Sequence, residues 1–415
     1  MSDDITRNSK CRICSSANLE EIISLDETPL ANSFLKMEDF VKEKSYPLRV
    51  YFCHNCHLAQ LLDIVDKKIL FSDYVYFYSV MPQAPQHFVS YSNDVIKRFI
   101  TDLEKELVLE FGSNDGLLLK AFQENGCRQV LGIDPAENIA KFANEHGIPT
   151  LPKFFTNALA SEIMTTHGKA KVILANNVVA HINDIQDMTK AVNLLLADKG
   201  AFIFEAPYLI DMFENLAYDS IYHEHLSYLA VTPLVYLFKQ FGMDVFDIQV
   251  VNRQGNSIRT FVCHSGVYPI SANVATLLKK EEILGLAKID SYRALASRIA
   301  QSKINLVNIL KDLKRQGFTI AGYGSPARGN TCLNYCKIGS DLMEFTTEEL
   351  TSKVGLYTPG MHLPVLHINE ARQNPPDYYL MLAWPYKDAI LKKEQEFLKN
   401  GGKFIIPIGD QIQII

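Results

Sequence analysis

The sequence predicts an α/β protein of three consecutive domains: a small cysteine-rich amino-terminal domain, a central Rossmann-like domain and a carboxyl-terminal Rossmann-like α/β domain. Three observations lead to this fold class. Two cysteine pairs stand near the start, an apolar strand meets a glycine turn at Gly112, and a second strand meets a glycine turn at Gly322. We expect the domains to span residues 1–75, 76–270 and 271–415.

The composition is that of a folded globular chain. Its 415 residues are 47% hydrophobic and 21% charged, with a formal net charge of −6. This apolar content excludes wholesale disorder, and the mild acidity lacks the basic excess of a dedicated DNA- or RNA-binding protein. The sequence contains no apolar run of about 18 residues and no apolar signal region at its start. We expect a soluble cytoplasmic protein with no nucleic-acid or membrane partner.

The amino-terminal cysteines form two C-x-x-C pairs, separated by residues 15–52. Each pair puts two thiolates on one side of a turn, and two such turns complete a tetrahedral zinc site. A closed site of four thiolates leaves no position for substrate, so we expect the zinc to be structural. His54 or His57 as a ligand, or a thioredoxin-like redox pair, is the alternative. The expected ligands are Cys11, Cys14, Cys53 and Cys56.

The central domain opens with the clearest strand pattern in the sequence, residues 107–112. A turn, a helix over 117–125 and a second strand over 129–133 follow, and Asp134 ends that strand. This order begins a doubly wound nucleotide-binding sheet. The turn reads G-S-N-D-G, so it lacks the G-x-G-x-x-G fingerprint of dinucleotide sites.

The acid that ends the first strand indicates which nucleotide binds. Glu110 stands where SAM (S-adenosylmethionine) enzymes place an acid beside the cationic methionine end, Gly112 lets a ligand approach the backbone, and Asp134 can accept two ribose hydroxyls. SAM is the expected cofactor, with NAD or a degenerate fold without cofactor as alternatives. The expected SAM-binding residues are Glu110, Gly112, Asn114, Asp115, Asp134, Asn176 and Asn177.

Residues 222–225 read Tyr-His-Glu-His, the densest titratable cluster in the chain. The metalloprotease motif H-E-x-x-H is excluded because Ser227 stands four positions after His223. An imidazole with an ordinary pKa near ~6.5 suits removal of a moderately acidic proton, so we expect a general base beside a carboxylate and a phenol. A solvated surface turn is the alternative. His181 follows another expected strand, at the sheet edge where α/β proteins bind ligands.

The carboxyl-terminal domain begins with residues 272–316, which predict one or two long helices. Residues 318–330 then predict a strand and a glycine turn, with Arg328 in the turn and Asn330 opening a helix. A helix start combined with an arginine suits a phosphate group. The G-x-G pattern is equally typical of a purely structural turn.

In this order, the motifs resemble those of the bacterial SAM-dependent nucleotide-sugar C-methyltransferases, of the dTDP-4-keto-deoxysugar C-3-methyltransferase type. The resemblance covers nearly the whole chain: two C-x-x-C pairs, E-F-G-S-N-D-G, Y-H-E-H, G-Y-G-S-P-A-R-G-N and L-Y-T-P-G. It implies a zinc domain, a class I SAM methyltransferase domain and a carboxyl-terminal domain that helps to hold the sugar nucleotide. It also implies a monomer.

The resemblance further implies the chemistry. A base removes the C3 proton beside the C4 ketone, and the enolate attacks the SAM methyl group in line, with inversion at C3 when base and methyl lie on opposite faces. The base falls on His225, and the other active-site positions fall on Glu224, Tyr222, His181 and Tyr76. Substrate binding falls on Tyr323, Ser325, Arg328, Asn330 and Tyr357.

Two segments depart from the family pattern. The family often carries H-G-G-S where this chain has Arg253 to Ser257, and a D-x-x-x-x-K stretch where this chain has Thr346 to Lys353. Both lie where we expect sugar or nucleotide contacts, so the particular sugar stays open. A SAM enzyme that methylates oxygen or nitrogen of another small molecule is one alternative. A binding module on a degenerate SAM fold is another.

Overall fold

The computed structural model describes residues 4–71, 77–80, 84–252 and 256–415. The amino-terminal part is an antiparallel sheet in the order β11-β4-β3-β2, beside the two-stranded pair β1-β5. Its strands alternate inward and outward side chains, and Leu48, Val50 and Phe52 of β3 are each 1% exposed. The elements are β1 (Ile5–Arg7), β2 (Leu19–Thr28), β3 (Tyr46–Cys53), β4 (Ala59–Leu61), β5 (Asp63–Val65) and α1 (Lys67–Phe71).

The central part is a seven-stranded sheet in the order β12-β13-β10-β9-β6-β7-β8. Strands β6 to β10 are parallel, and β13 and β12 run antiparallel at one edge. The elements are α2 (Ala84–Phe99), β6 (Leu107–Phe111), α3 (Leu117–Glu124), β7 (Val130–Ile133), α4 (Glu137–Glu145), β8 (Thr150–Leu151), α5 (Asn157–His167), β9 (Ala170–Asn176), α6 (Ile185–Leu195), β10 (Leu196–Pro207), α7 (Ile210–Glu214), β11 (Ser227–Tyr228), α8 (Val231–Gln240), β12 (Met243–Asn252) and β13 (Asn256–His264).

One short strand of this region belongs to the neighbouring sheet. Strand β11 pairs antiparallel with β4, with Ser227 opposite Gln60 and Tyr228 opposite Ala59. The Tyr-His-Glu-His segment directly precedes β11. The amino-terminal sheet therefore holds the carboxyl end of that segment.

The carboxyl-terminal part follows two long helices, as the sequence predicts. Its six-stranded sheet has the order β16-β15-β14-β17-β18-β19, parallel except for β19. The elements are α9 (Ala272–Leu284), α10 (Ile289–Arg315), β14 (Ile320–Tyr323), α11 (Ala327–Cys336), β15 (Thr346–Glu348), β16 (Val365–His367), α12 (Ile368–Ala371), β17 (Tyr378–Met381), α13 (Lys387–Lys393), α14 (Gln395–Lys399), β18 (Lys403–Ile406) and β19 (Gln413–Ile414).

The predicted fold class is confirmed: a zinc-binding type amino-terminal domain precedes two Rossmann-like α/β sheets. The predicted boundaries after residues 75 and 270 stay predictions. One local expectation differs, because α11 begins at Ala327, and Asn330 therefore lies inside the helix rather than at its start. Within the described ranges, no helix has the length and apolar character needed to cross a bilayer.

Candidate active site

A cavity of about 760 Å³ lies at the carboxyl ends of the central strands. At this point the chain continues from β6 toward one edge of the sheet and from β9 toward the other edge. All three parts of the chain line it. The amino-terminal part contributes Leu30, Asn32 and Phe34. The predicted site residues that line the cavity are Gly112, Asn114, Asp134, Asn176, Asn177, His181, Tyr222, Glu224, His225, Ser325 and Arg328.

The turn after β6 requires glycine at position 112, because Val178 packs closely against it. Gly112 has φ +63°, and a Cβ there would lie 2.2 Å from Cγ2 of Val178, so no other residue fits without displacement. The next turn residue, Asn114, donates its N–H to Oδ2 of Asp134 at 2.9 Å. Ala136 donates its N–H to Oδ1 of the same carboxylate at 3.0 Å. These bonds orient Asp134 and leave each oxygen able to accept a further hydroxyl.

Buried oxygen atoms gather behind this turn. Glu110 is 1% exposed, and its Oε1 accepts Nδ2 of Asn176 at 3.0 Å. Among the described residues, Oε2 of Glu110, Oδ1 of Asn176, Oδ1 of Asp115 and Oγ of Ser113 have no hydrogen-bond partner. Burial, together with nearby carboxylates, raises the pKa of Glu110 to about 8. A cluster rich in unsatisfied acceptors and carboxyl groups suits a cationic ligand.

His225 is held in one tautomer. Its Nδ1 lies 2.8 Å from the carbonyl oxygen of Ser220, and a carbonyl can only accept. The neutral ring therefore carries its proton on Nδ1, and Nε2 keeps a lone pair. Burial and the neighbouring His181 and Arg328 lower the pKa of His225 to about 3. The imidazole is therefore neutral at neutral pH, with Nε2 unprotonated.

Two rings surround this imidazole. The centroid of the Tyr222 ring lies 3.9 Å from that of His225, and the His181 ring lies at 5.1 Å. Burial lowers the pKa of His181 to about 4, so this imidazole is also neutral. A neutral histidine can still donate one N–H to an oxygen of a substrate.

Glu224 shows the opposite response to the same cavity. Burial raises its pKa to about 7, while a hydrogen bond from Nδ2 of Asn32 to its Oε1, at 2.6 Å, favours the ionised form. Adjacent residues thus have strongly different proton affinities. His225 is neutral over the whole physiological range, and Glu224 titrates within it.

The carboxyl-terminal turn reaches the cavity from the other side. Gly324 has φ +81°, and Ser325 donates its hydroxyl to Oγ1 of Thr346 at 2.8 Å. Arg328 donates Nη2 to Oδ1 of Asp219 at 2.7 Å, and its guanidinium lies 4.8 Å from the centroid of Trp384. The arginine predicted to bind phosphate is therefore engaged with a carboxylate of the central part.

Some predicted site residues are not brought to the cavity. Tyr323 donates its hydroxyl to Oε1 of Glu394 at 2.8 Å within the carboxyl-terminal core. Asn330 donates Nδ2 to the carbonyl oxygen of Ala31 at 2.8 Å. Glu110 on β6 and Asp115 in the turn after β6, which we call the cofactor turn, do not line the cavity. Tyr357 pairs with Leu35 through the backbone. Tyr76 lies outside the described residues, as do Arg253 to Gly255.

The structure adds cavity residues that the sequence analysis did not select as site residues. Asn32 and Phe34 had no signal, because an isolated amide or aromatic ring in a loop has no pattern. Asp219, which does not line the cavity but accepts a hydrogen bond from Arg328, had none for the same reason. Lys353 ends the segment that differs from the family's D-x-x-x-x-K pattern. It lines the cavity, and its Nζ lies 4.8 Å from the centroid of the Phe34 ring.

The four predicted metal ligands come together. Their Sγ atoms all lie within 4.8 Å of one another, close to the spacing of about 3.8 Å that Zn–S bonds of ~2.3 Å impose on a tetrahedron. Both turns close alike, because Ser15 and His57 have positive φ and donate N–H to the carbonyls of Cys11 and Cys53, each at 2.9 Å. The thiol set therefore fits a closed structural zinc site.

Comparison with known proteins agrees with this division. Residues 11–71 match a family described as a putative zinc binding domain, 86–248 a methyltransferase domain, and 252–409 a C-methyltransferase C-terminal domain. The C-methyltransferase NovU of Streptomyces niveus is 35% identical over 411 residues, which cover 98% of this chain and 97% of that protein. The chain belongs to the C-methyltransferase family.

Solved methyltransferase structures align with part of this chain. Magnesium protoporphyrin IX methyltransferase (ChlM) from Synechocystis PCC 6803, with bound SAM, is 14% identical with a TM-score of 0.34, over 48% of this chain and 89% of that one. The plantazolicin methyltransferase BpumL is 13% identical with a TM-score of 0.34, over 45% and 86% of the two chains.

The enzyme is a SAM-dependent C-methyltransferase with a putative zinc-binding domain, as the sequence predicts. The lining fits such a cofactor: Asn176 and Asp134 reach the cavity and would hold it, with the unpartnered carboxyl oxygens of Glu110 and Asp115 close behind them. When bound, SAM supplies an electrophilic methyl group.

Proposed function

We propose that this C-methyltransferase acts at C3 of a dTDP-4-keto-deoxyhexose, with His225 as the general base and with inversion at C3. The single observation that supports the mechanism most is the bond between Nδ1 of His225 and the carbonyl of Ser220. It leaves Nε2 unprotonated in a cavity that also contains the cofactor turn. A base next to a bound methyl donor suits carbon methylation, since carbon must lose a proton before it can attack.

The first proposed step transfers the C3 proton of the sugar to His225. Nε2 of His225 takes the C3 proton, and the electron pair of that C–H bond moves into the C3–C4 bond, which places negative charge on the C4 oxygen. The neutral His181 can donate its N–H to that oxygen. The imidazolium formed at His225 gains stabilisation from the ionised form of Glu224, the preceding residue in the chain.

Such stabilisation is needed here. An imidazole with a pKa of about 3 accepts a proton weakly, so the base works only if the charges that appear on both partners are compensated. With SAM held at the cofactor turn, the enolate carbon would take the methyl group in line, on the face of the ring turned toward that turn, as the methyl–sulfur bond breaks and S-adenosylhomocysteine leaves as a neutral thioether. Close positioning of two held reactants supplies much of the acceleration.

The opposite end of the cavity suits a nucleotide diphosphate. The turn 324–326, which precedes α11, lines the cavity, and Lys353 lies beside it, with Nζ 3.0 Å from the carbonyl oxygen of Ser325. The Phe34 ring stands next to Lys353 and offers a surface for a planar base. A volume of about 760 Å³ is sufficient for a nucleotide-linked sugar.

We further propose that the enzyme works as a cytoplasmic monomer on a small molecule, without nucleic acid. One chain lines the cavity from all three of its parts, so a second copy is not required to complete it. Light scattering of the purified enzyme measures the mass in solution.

The decisive experiment is a mass-spectrometric turnover assay with SAM and dTDP-4-keto-6-deoxyglucose, its 2-deoxy relative and its 3-amino relative. We expect a gain of one methyl group with loss of the C3 hydrogen, and exchange of that hydrogen with deuterated water when the cofactor is withheld. Methylation that retains the C3 hydrogen would instead identify an O- or N-methyltransferase.

His225→Asn tests the base. We expect turnover to fall about 10²–10⁴-fold, the usual contribution of a general base, while SAM binding stays within twofold of the wild type. Calorimetry with SAM and the turnover assay measure the two quantities. A fully active variant contradicts the assignment of His225.

A further inference from the structure

The loop 29–35 of the amino-terminal sheet enters the cavity. It leaves β2 at Thr28, while the zinc ligand Cys53 stands at the far end of β3, where it pairs with Leu19. Seven residue steps along β3, at ~3.3 Å each, separate these ends by about 23 Å. None of the four cysteines lines the cavity, whereas the loop is part of the cavity wall.

Contacts on two sides fix this loop. Nδ2 of Asn32 donates to Oε1 of Glu224 at 2.6 Å, a contact across 192 positions of the chain. Asn330 donates Nδ2 to the carbonyl of Ala31 at 2.8 Å. The amides of Leu35 and Tyr357 donate to each other's carbonyl oxygens at 3.2 and 2.9 Å. Asn330 and Tyr357, which the sequence suggests as substrate ligands, instead hold Asn32 in place.

We infer that Asn32 is a positioning residue for methyl transfer: its amide fixes the carboxylate of Glu224 in the cavity that His225 also lines. The inference rests on the proposed role of Glu224 in the reaction. The zinc-binding part of the chain then contributes to the chemistry through a side chain of its loop, while the metal maintains the fold of the hairpin that carries this loop.

The bond acts on one of two oxygens. Because the amide N–H occupies Oε1, the carboxylate cannot rotate freely, and Oε2 is left without that bond. A hydrogen bond to a carboxylate also favours its charged form, which is the form that stabilises a nearby imidazolium. Loss of the amide removes both effects while the cavity wall is otherwise retained.

A double-mutant cycle tests the inference, with Asn32→Ala, Glu224→Gln and the double variant assayed for methyl transfer. We expect Asn32→Ala to lower kcat about tenfold or more and to leave the KM for SAM unchanged. In the Glu224→Gln background the same substitution should have less than about a threefold effect, because the two residues act as a unit. Equal effects in both backgrounds overturn the inference.

Two further variants guard against trivial outcomes. Asn32→Asp keeps the volume but cannot donate, so it should lower kcat as Asn32→Ala does even if the alanine variant folds poorly. Asn8→Ala removes a comparable amide bond, from Nδ2 of Asn8 to Oδ1 of Asn183 at 2.8 Å, on an exposed surface away from the cavity. It should retain wild-type kcat.

A spectroscopic measurement separates this inference from the proposed function. The carboxyl band of Glu224, identified in infrared difference spectra by its loss in Glu224→Gln, should shift in Asn32→Ala without any substrate. An unshifted band overturns the inference. A wild-type enzyme that turns over none of the three sugar nucleotides overturns the proposed function, whatever the band does.

Discussion

The two glycine turns of this protein follow the same plan and serve different ends. Each ends a central parallel strand, each has a glycine with positive φ (Gly112 at +63°, Gly324 at +81°), and each leads into a helix. Behind the first turn, acceptors such as Oε2 of Glu110 have no partner among the described residues. At the second, Ser325 and Arg328 are bonded to neighbouring side chains.

This difference distinguishes a turn that binds a ligand from a turn that connects two parts of the chain, which we call a structural joint. A turn whose buried polar atoms lack protein partners is prepared for a bound molecule, since burial without a partner costs free energy. A turn whose polar atoms are paired is stabilising the fold. Arg328 belongs largely to the second kind, because Asp219 accepts both its guanidinium and the indole N–H of Trp384, the latter at 2.6 Å.

The joint still influences the reaction. Asp219 immediately precedes Ser220, and the Ser220 carbonyl sets the tautomer of His225. The carboxyl-terminal part thus positions the proposed base, as the amino-terminal loop positions Glu224. The carboxyl-terminal part therefore acts on His225, and the amino-terminal part acts on Glu224.

We expect the largest effect on stability from Asp219→Ala, beside the second turn. It leaves the buried guanidinium of Arg328 without its carboxylate, so the free energy of unfolding should fall by about 3–5 kcal/mol. Urea denaturation measures the change. Asp410→Ala removes an ion pair to Arg298 in which the Asp410 side chain is 57% exposed, and it should cost less than about 1 kcal/mol. Equal losses in the two variants contradict a clamp at Asp219.

Glu110→Gln tests whether the first turn binds the cofactor. The pKa of Glu110 in the free enzyme is about 8, and a bound cation favours the ionised carboxylate, so SAM binding should release a proton. The affinity of the wild type for SAM should rise with pH between 6 and 8, by at most about tenfold per pH unit. Calorimetry at several pH values should show this rise in the wild type and a flat, weaker affinity in Glu110→Gln. A wild-type affinity that does not vary over this range refutes the role of Glu110.

The glycines themselves give the smallest expected effect. Alanine at 112 meets Cγ2 of Val178 at 2.2 Å, whereas alanine at 324 meets Cβ of Ala383 at 3.0 Å. Each substitution should cost about 1–3 kcal/mol of backbone strain, with the larger cost at 112. Gly112→Ala should also weaken SAM binding, since it pushes Val178 toward the cavity, and Gly324→Ala should not. Thermal denaturation and SAM titration of both variants check this, and a reversed order would rule out the proposed difference.

The sequence predicted features that depend on local patterns. The two C-x-x-C turns, the strand that carries Glu110 and the acid at Asp134 are each readable within a few residues, and the structure brings the four thiols together. Asn32 and Asp219 were not predictable, because their partners lie 192 and 109 positions away in the sequence. The substrate role of Tyr323 came from the family resemblance and stays a prediction, while the structure places its hydroxyl against Glu394 in the carboxyl-terminal core. A motif match does not tell which face of a strand a side chain occupies.

The pairing of β11 with β4 has a consequence for how the chain is made. Residues 59–60 leave the ribosome long before residues 227–228, and at roughly 5–20 residues per second the interval is about 8–34 s. Throughout that interval the newly made hairpin presents an open strand edge, the kind of edge that attracts foreign strands. A nascent chain that stalls between these points would be a natural client for a chaperone, even with its metal already in place.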